Sequence, residues 1–281
     1  MKKRVKTVIK ANEMGFCLGV RRAVGTLQDA VESEGNPVYT LGPIIHNPQV
    51  NKQFADQGVS VADSPEDIPE GSTVIIRAHG IPPILHERMA KRHLKVMDGT
   101  CPKVIASQKT VKKYDEMGYH TVIVGDADHG EIIGLAGYGS QPIVISSPEE
   151  AEVLELSGDV MVISQTTIKQ DEFDQVCDIL KKKTDSLKIV NSICSATNDR
   201  QQALKNLCRQ VDACLIIGGK NSANTQRLFM TAEATGIPVW HIEDVSDLPE
   251  DIYAYETVGI SAGASTPGFV ITEVEEALLS Q

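Results

Sequence analysis

The sequence predicts an α/β protein of three similar units, each a mostly parallel sheet covered by helices, set around a pseudo-threefold axis. Three observations predict it. A cysteine recurs at positions 17, 101 and 194, at intervals of 84 and 93 residues. A glycine follows each one, Gly42, Gly125 and Gly218, after 25, 24 and 24 residues. Between them the hydrophobic pattern switches from short apolar runs to stripes at helical spacing, the alternation expected of parallel strands joined by helices.

Self-similarity of this kind marks a repeated unit. Each copy opens with a β-rich run leading to its cysteine: VKTVIKANEMGFC, LKVMDGTC and LKIVNSIC. A helix follows, with Val20, Val24, Leu27 and Val31 spaced to bury one stripe in the first copy and Leu204, Leu207 and Val211 in the third. A second strand runs into the recurrent glycine. Polar loops come next: IIHN with His46, DADHGE with His129 and Glu131, and KNSAN with Asn221, Ser222 and Asn224. The latter half of each copy passes from an acidic turn through an apolar strand into another polar loop, carrying His79, Thr166 with Thr167, and Ser265 with Thr266. The expected units are 18–100, 101–192 and 193–281, with 1–17 packing against the third. In open parallel sheets, ligands bind beyond the strands' C-terminal ends, where these loops fall.

Composition narrows the function. Lys and Arg number 27 against 38 Asp and Glu, a formal charge of −11. A general nucleic-acid binder or a binder of anionic membranes would need the opposite sign. Aromatics are only 4% of the chain, so the core must come from Val, Ile, Leu and Ala. The basic start MKKRVKTVIKANEMG lacks the apolar stretch and cleavage site of a secretory signal, and no segment nears the ~20 apolar residues of a membrane span. A cytoplasmic protein is expected, and in that compartment six cysteines do not make a disulfide framework. Cys177, Cys208 and Cys214 have no repeat partners and lie in apolar patterns, as core cysteines do.

The absence of any CxxC pair disfavours zinc ribbons and closely spaced ferredoxin arrangements for Cys17, Cys101 and Cys194. One thiolate per unit suits three irons of a [4Fe–4S] cluster at the centre, with the fourth iron open as Lewis acid and electron donor in one place. A three-cysteine zinc site is the alternative and would bring hydrolytic chemistry, although the paired motif of the zinc deaminases is incomplete here. Each cysteine also stands at an expected helix start, with Pro102 after Cys101 and the capping types Ser195 and Thr197 after Cys194. Helix N-termini stabilise thiolates and anionic ligands alike.

His46, His79 and His129, with Ser222, Asn224 and Ser265, come from all three units at matching strand ends. Imidazole, hydroxyl and amide donors suit the oxygens of a diphosphate, and histidine can take up a proton as the anion enters. His86, His93, His120 and His241 have no such placement, and Arg77 beside His79 is a candidate supporting charge. Glu131 follows His129 by two residues, so on an extended segment both side chains face one way. A carboxylic acid there can deliver protons to a leaving hydroxyl, directly or through Thr166. No GxxxxGK(S/T) or clear GxGxxG follows a strand, so the usual nucleotide cradles are missing. Three readings stay open on the residues alone: an iron–sulfur reductase, a zinc-dependent phosphate-ester hydrolase, and an iron–sulfur sensor of an anionic metabolite.

Six blocks, in order, resemble the motifs of the 4-hydroxy-3-methylbut-2-enyl diphosphate reductase (LytB) family over nearly the full chain. They are GFCLGVRRAV around Cys17, DGTCPKV around Cys101, SQTT at 164–167, SICSATNDRQ around Cys194, GGKNSAN at 218–224 and SAGAST at 261–266. The resemblance implies an oxygen-sensitive [4Fe–4S] oxidoreductase that takes two electrons and two protons and expels an allylic hydroxyl as water. Its products would be isopentenyl and dimethylallyl diphosphates, at the last step of the methylerythritol phosphate route to isoprenoids. By motif position the resemblance implies Cys17, Cys101 and Cys194 as cluster ligands, one iron being left for the substrate oxygen. Glu131 would be the proton donor, and Thr166 would position the hydroxyl and relay the proton. His46, His79, His129, Thr166, Ser222, Asn224 and Ser265 would bind substrate, chiefly its diphosphate. A flavodoxin or ferredoxin is the implied electron donor. One departure matters: the family pattern has two serines before the asparagine, and here Ser222 is followed by Ala223.

Overall fold

A computed structural model describes residues 5–33 and 35–280. The chain runs β1 (Thr7–Lys10), α1 (Leu18–Ser33), β2 (Val38–Leu41), α2 (Pro48–Asp56), β3 (Ser60–Ala62), β4 (Thr73–Ile76), α3 (Pro83–Lys91) and β5 (Lys95–Asp98). It continues through α4 (Pro102–Glu116), β6 (His120–Val124), α5 (Gly130–Ala136), β7 (Ile143–Ile145), α6 (Pro148–Val153), β8 (Val160–Ser164), α7 (Gln170–Leu180) and β9 (Leu187–Val190). It closes with α8 (Ser195–Cys208), β10 (Ala213–Ile217), α9 (Ala223–Glu233), β11 (Val239–Ile242), β12 (Thr257–Ala262) and α10 (Gly268–Leu279).

The strands form three parallel sheets of four, in the orders β3-β2-β4-β5, β7-β6-β8-β9 and β11-β10-β12-β1. One strand order is thus used three times, and β1 fills the place beside β12 that β5 and β9 hold beside β4 and β8. Two compact units result. One draws on Met1–Val20, His46–Lys52 and Ser195–Gln281 as far as these are described, and holds the β10/β12 sheet. The other, Arg21–Ile45 with Gln53–Cys194, holds the remaining two sheets.

Burial follows from strand position. The inner strands β2, β4, β6, β8, β10 and β12 are buried along most or all of their length, as strands covered on both faces must be. The edge strands β5 and β9 expose residues and carry Lys95 and Lys188, charges that discourage pairing with another chain. On the β10/β12 sheet, Val270, Val274 and Leu278 of α10 pack with Leu215, Ile217, Val258 and Ile260. The opposite face takes Leu204, Leu207 and Cys208 of α8 and Leu228 of α9 onto Cys214 and Ile216. On the β6/β8 sheet, Phe173, Val176, Cys177 and Leu180 of α7 cover Val122, Val124, Val160 and Val162. Val111, Ile132 and Leu135 cover its other face. Cys177, Cys208 and Cys214 are therefore core residues, and burial pushes the Cys177 thiol up to about 11.

The recurrent glycines stand where a side chain has no room. An added Cβ would lie 2.8 Å from Arg77 Nη1 at Gly42, 2.6 Å from Gln165 Oε1 at Gly125 and 2.6 Å from Thr266 Oγ1 at Gly218. Each obstructing side chain belongs to the loop beyond the neighbouring inner strand, β4, β8 or β12, so the constant spacing records one repeated close approach. Gly42 and Gly218 also have φ of 71° and 146°, which L side chains rarely adopt. The acidic turns are capped starts. Ser64, Ser147 and Asp244 each accept a backbone N–H from the turn they open.

Candidate functional site

Each recurrent cysteine stands directly before a helix, since α1, α4 and α8 open at Leu18, Pro102 and Ser195. Ser195 and Thr197 thus lie inside the first turn of α8, not ahead of it. The cysteine N–H groups repeat one contact. Cys17 donates to Ala264 O at 3.2 Å, Cys101 to Ala78 O at 3.0 Å and Cys194 to Thr166 O at 2.9 Å. The residues after these acceptors are Ser265, His79 and Thr167, so each bond ties a cysteine to a loop named for ligand binding. These three cysteines are half-buried, unlike the fully buried Cys177, Cys208 and Cys214, and all six are thiols. Cys17 Sγ accepts the Val20 N–H at 3.4 Å, within the first turn of α1.

Glu131 and Thr166 form a buried pair. Glu131 is 2% exposed; its Oε1 accepts the Thr166 backbone N–H and its Oε2 the Thr166 hydroxyl, both at 2.7 Å. Because the Thr166 carbonyl holds the Cys194 N–H, carboxyl, hydroxyl and thiol-bearing residue are linked in one chain of bonds. The sequence pattern places His129 and Glu131 on an extended segment, and the structure corrects this. His129 is the N-cap of α5, its Nδ1 accepting the Glu131 N–H at 3.2 Å, and Glu131 lies in the first helical turn. An imidazole nitrogen replaces the usual hydroxyl or carboxylate cap, so the common start signal is missing. With Nδ1 accepting, the neutral ring carries its proton on Nε2.

His79 stands edge-on to His129, ring centroids 4.9 Å apart. The Arg77 guanidinium lies between two glycines, for a Cβ at Gly130 would approach Nη2 to 2.6 Å as one at Gly42 approaches Nη1. Burial holds its pKa below the usual arginine value, and Arg77 Nε is buried with no hydrogen-bond partner among the described residues. Gln165 fixes the same region, its Oε1 accepting the Asp126 N–H at 2.9 Å.

In the other unit the Ser265 hydroxyl donates to His46 O at 3.1 Å. Gly219 permits this, since a Cβ there would be 2.4 Å from that carbonyl oxygen. Ser222 caps α9, accepting the Thr225 N–H at 3.4 Å. Asn224 is buried, and its Nδ2 has no hydrogen-bond partner among the described residues. An open amide donor in the first turn of a helix is suited to an anionic acceptor. His241, set aside on sequence, is bonded through Nε2 to Gly218 O at 2.8 Å. Gln165 and Arg200 are the residues that sequence reasoning did not single out. Their only sign was a place inside the SQTT and SICSATNDRQ blocks.

These features define a parallel α/β protein with half-buried thiols at helix starts and a buried, hydrogen-bonded Glu131–Thr166 pair beyond the strands' C-terminal ends. The chain belongs to the LytB family, whose LytB protein model matches residues 8–279. It is 45% identical to the 4-hydroxy-3-methylbut-2-enyl diphosphate reductase of Treponema denticola, over 97% of this chain and 99% of that protein. Its fold is similar to that of the E-1-hydroxy-2-methyl-but-2-enyl-4-diphosphate reductase from Plasmodium falciparum, with a TM-score of 0.90 and 27% identity over 97% of this chain and 86% of the other. A second solved structure, of (E)-4-hydroxy-3-methyl-but-2-enyl diphosphate reductase, the terminal enzyme of the non-mevalonate pathway, matches with a TM-score of 0.75. Its identity is 38% over 99% of this chain and 100% of that one. None of these three relatives is named as a hydrolase or a sensor. Among the described residues, no helix is long and apolar enough to cross a membrane.

Proposed function

We propose that this chain reduces (E)-4-hydroxy-3-methylbut-2-enyl diphosphate to isopentenyl and dimethylallyl diphosphates, the last step of the methylerythritol phosphate route. The observation that carries the reading is the buried Glu131–Thr166 pair bonded to the Cys194 backbone, in a chain 45% identical to a protein named as that reductase.

The donor set fits an iron–sulfur cluster. Three soft thiols stand at helix starts, less buried than the core cysteines, and one already accepts a helix N–H. Cys17, Cys101 and Cys194 would hold a [4Fe–4S] cluster with one iron lacking a protein sulfur. When bound, that group supplies electrons one at a time and a Lewis acid for the hydroxyl. His46, His79, His129, Ser222, Asn224 and Ser265 would bind the diphosphate, with Asn224 Nδ2 finding there the acceptor it lacks. Thr166 would orient the allylic hydroxyl. Its Oγ1 both donates and accepts, so a proton from Glu131 can pass through it to the leaving oxygen. Two electrons and two protons enter, the C–O bond breaks to release water, and a C–H bond forms. A cytoplasmic one-electron carrier of flavodoxin or ferredoxin type would be the partner. The recurring strand order supports 18–100, 101–192 and 193–281 as copies of one unit, with 1–17 completing the third.

Anaerobic assay with a strong one-electron reductant and the hydroxymethylbutenyl diphosphate tests this. Both isoprenyl diphosphates are the expected products; release of inorganic phosphate without reduction would make the chain a hydrolase, and binding without conversion a sensor. Ala223 opens α9 without a hydroxyl. Ala223→Ser should lower the Michaelis constant about fivefold at unchanged kcat, the worth of one hydrogen bond of about 1 kcal/mol. An unchanged constant would show that Ser222 and Asn224 suffice.

A further inference from the structure

We propose that Arg200 is a positioning residue whose buried charge raises the reduction potential of the iron–sulfur site, an inference that rests on the reading above. Arg200 is 4% exposed, on α8, six residues beyond Cys194. Its Nη1 donates to Ala196 O at 2.9 Å and its Nη2 to Gly15 O at 2.8 Å. Ala196 lies two residues after Cys194 and Gly15 two before Cys17. One guanidinium therefore ties the segment entering one thiol to the turn leaving another.

Its charge has no ion-pair partner among the described residues. Its Nε is buried without a hydrogen-bond partner among them. Removing a guanidinium from water is costly unless an anion or a full set of acceptors offsets it, and two carbonyls do so only in part. The remaining anion is the one the cysteines would hold. A cluster on three thiolates is negative, and each added electron makes it more so. A fixed, poorly screened positive charge nearby then favours the form with the extra electron.

Redox titration of the anaerobically loaded protein, followed by electron paramagnetic resonance and paired with thermal melting, tests the assignment. Arg200→Gln removes the charge and should disfavour reduction about tenfold, a fall of about 59 mV for a one-electron step. Arg200→Lys keeps the charge but cannot span both carbonyls, so it should melt below wild type yet keep a potential within about 30 mV of it, half that shift. A Gln variant at the wild-type potential overturns the proposal, as does a Lys variant displaced as far as Gln. If Gln and Met variants both fail to fold while Lys melts like wild type, Arg200 serves the architecture alone and the proposal fails. Zinc without sulfide in the wild-type protein overturns the iron–sulfur reading itself, an outcome distinct from an unmoved potential.

Discussion

Glu131→Gln is expected to lower turnover by about 10²–10⁴-fold, the range for loss of a general acid, while substrate binding is retained. The geometry makes this substitution a clean one. In the native pair Oε1 accepts the Thr166 N–H and Oε2 the Thr166 hydroxyl. A glutamine can keep its oxygen toward the N–H and turn its amide toward Oγ1, which accepts as readily as it donates. Shape and both contacts survive, and the capacity to give up a proton does not. Glu131→Ala would be a poorer test, because it leaves the buried Thr166 N–H unsatisfied at about 1–3 kcal/mol and blurs chemistry with stability. Single-turnover measurement with prereduced protein reads the chemical step directly. Full activity of Glu131→Gln would remove the carboxyl from the mechanism.

Cys17→Ser is expected to abolish turnover by removing the metal centre itself. A hydroxyl is a far weaker ligand for iron in this setting than a thiolate. Replacing even an outer partner of a metal ligand costs about 10–100-fold, so loss of a ligand should exceed that. Iron, sulfide and the visible absorption should fall together, as they should for Cys101→Ser and Cys194→Ser. Cys177 supplies the control. It is packed among Phe173, Val176 and Leu180 with its thiol held protonated, so Cys177→Ala should keep full iron while losing about 0.5–3 kcal/mol of stability. Iron lost equally from Cys177→Ala would mean that the content reports folding and not ligation.

Much of this architecture could be read before any coordinates. The cysteine and glycine spacings survive as one strand order used three times, because the glycines answer a steric demand that recurs with the fold: Arg77, Gln165 and Thr266 each press on one. The three core cysteines were legible from their apolar neighbours. The Glu131–Thr166 bond spans 35 residues, and a sequence shows the two types without showing that they touch. The helix start at His129 was hidden for a local reason, since a ring nitrogen does the capping. Arg200 was hidden for a general one, because arginine normally signals a surface and only the fold reveals that it is buried without an ion pair among the described residues.

The central claim is that Cys17, Cys101 and Cys194 hold an iron–sulfur cluster. Iron, acid-labile sulfide and zinc per chain, measured on protein isolated without air, test it most directly. The account predicts about four irons and about four sulfides with a brown colour that bleaches in oxygen. Stoichiometric zinc with no sulfide would contradict it.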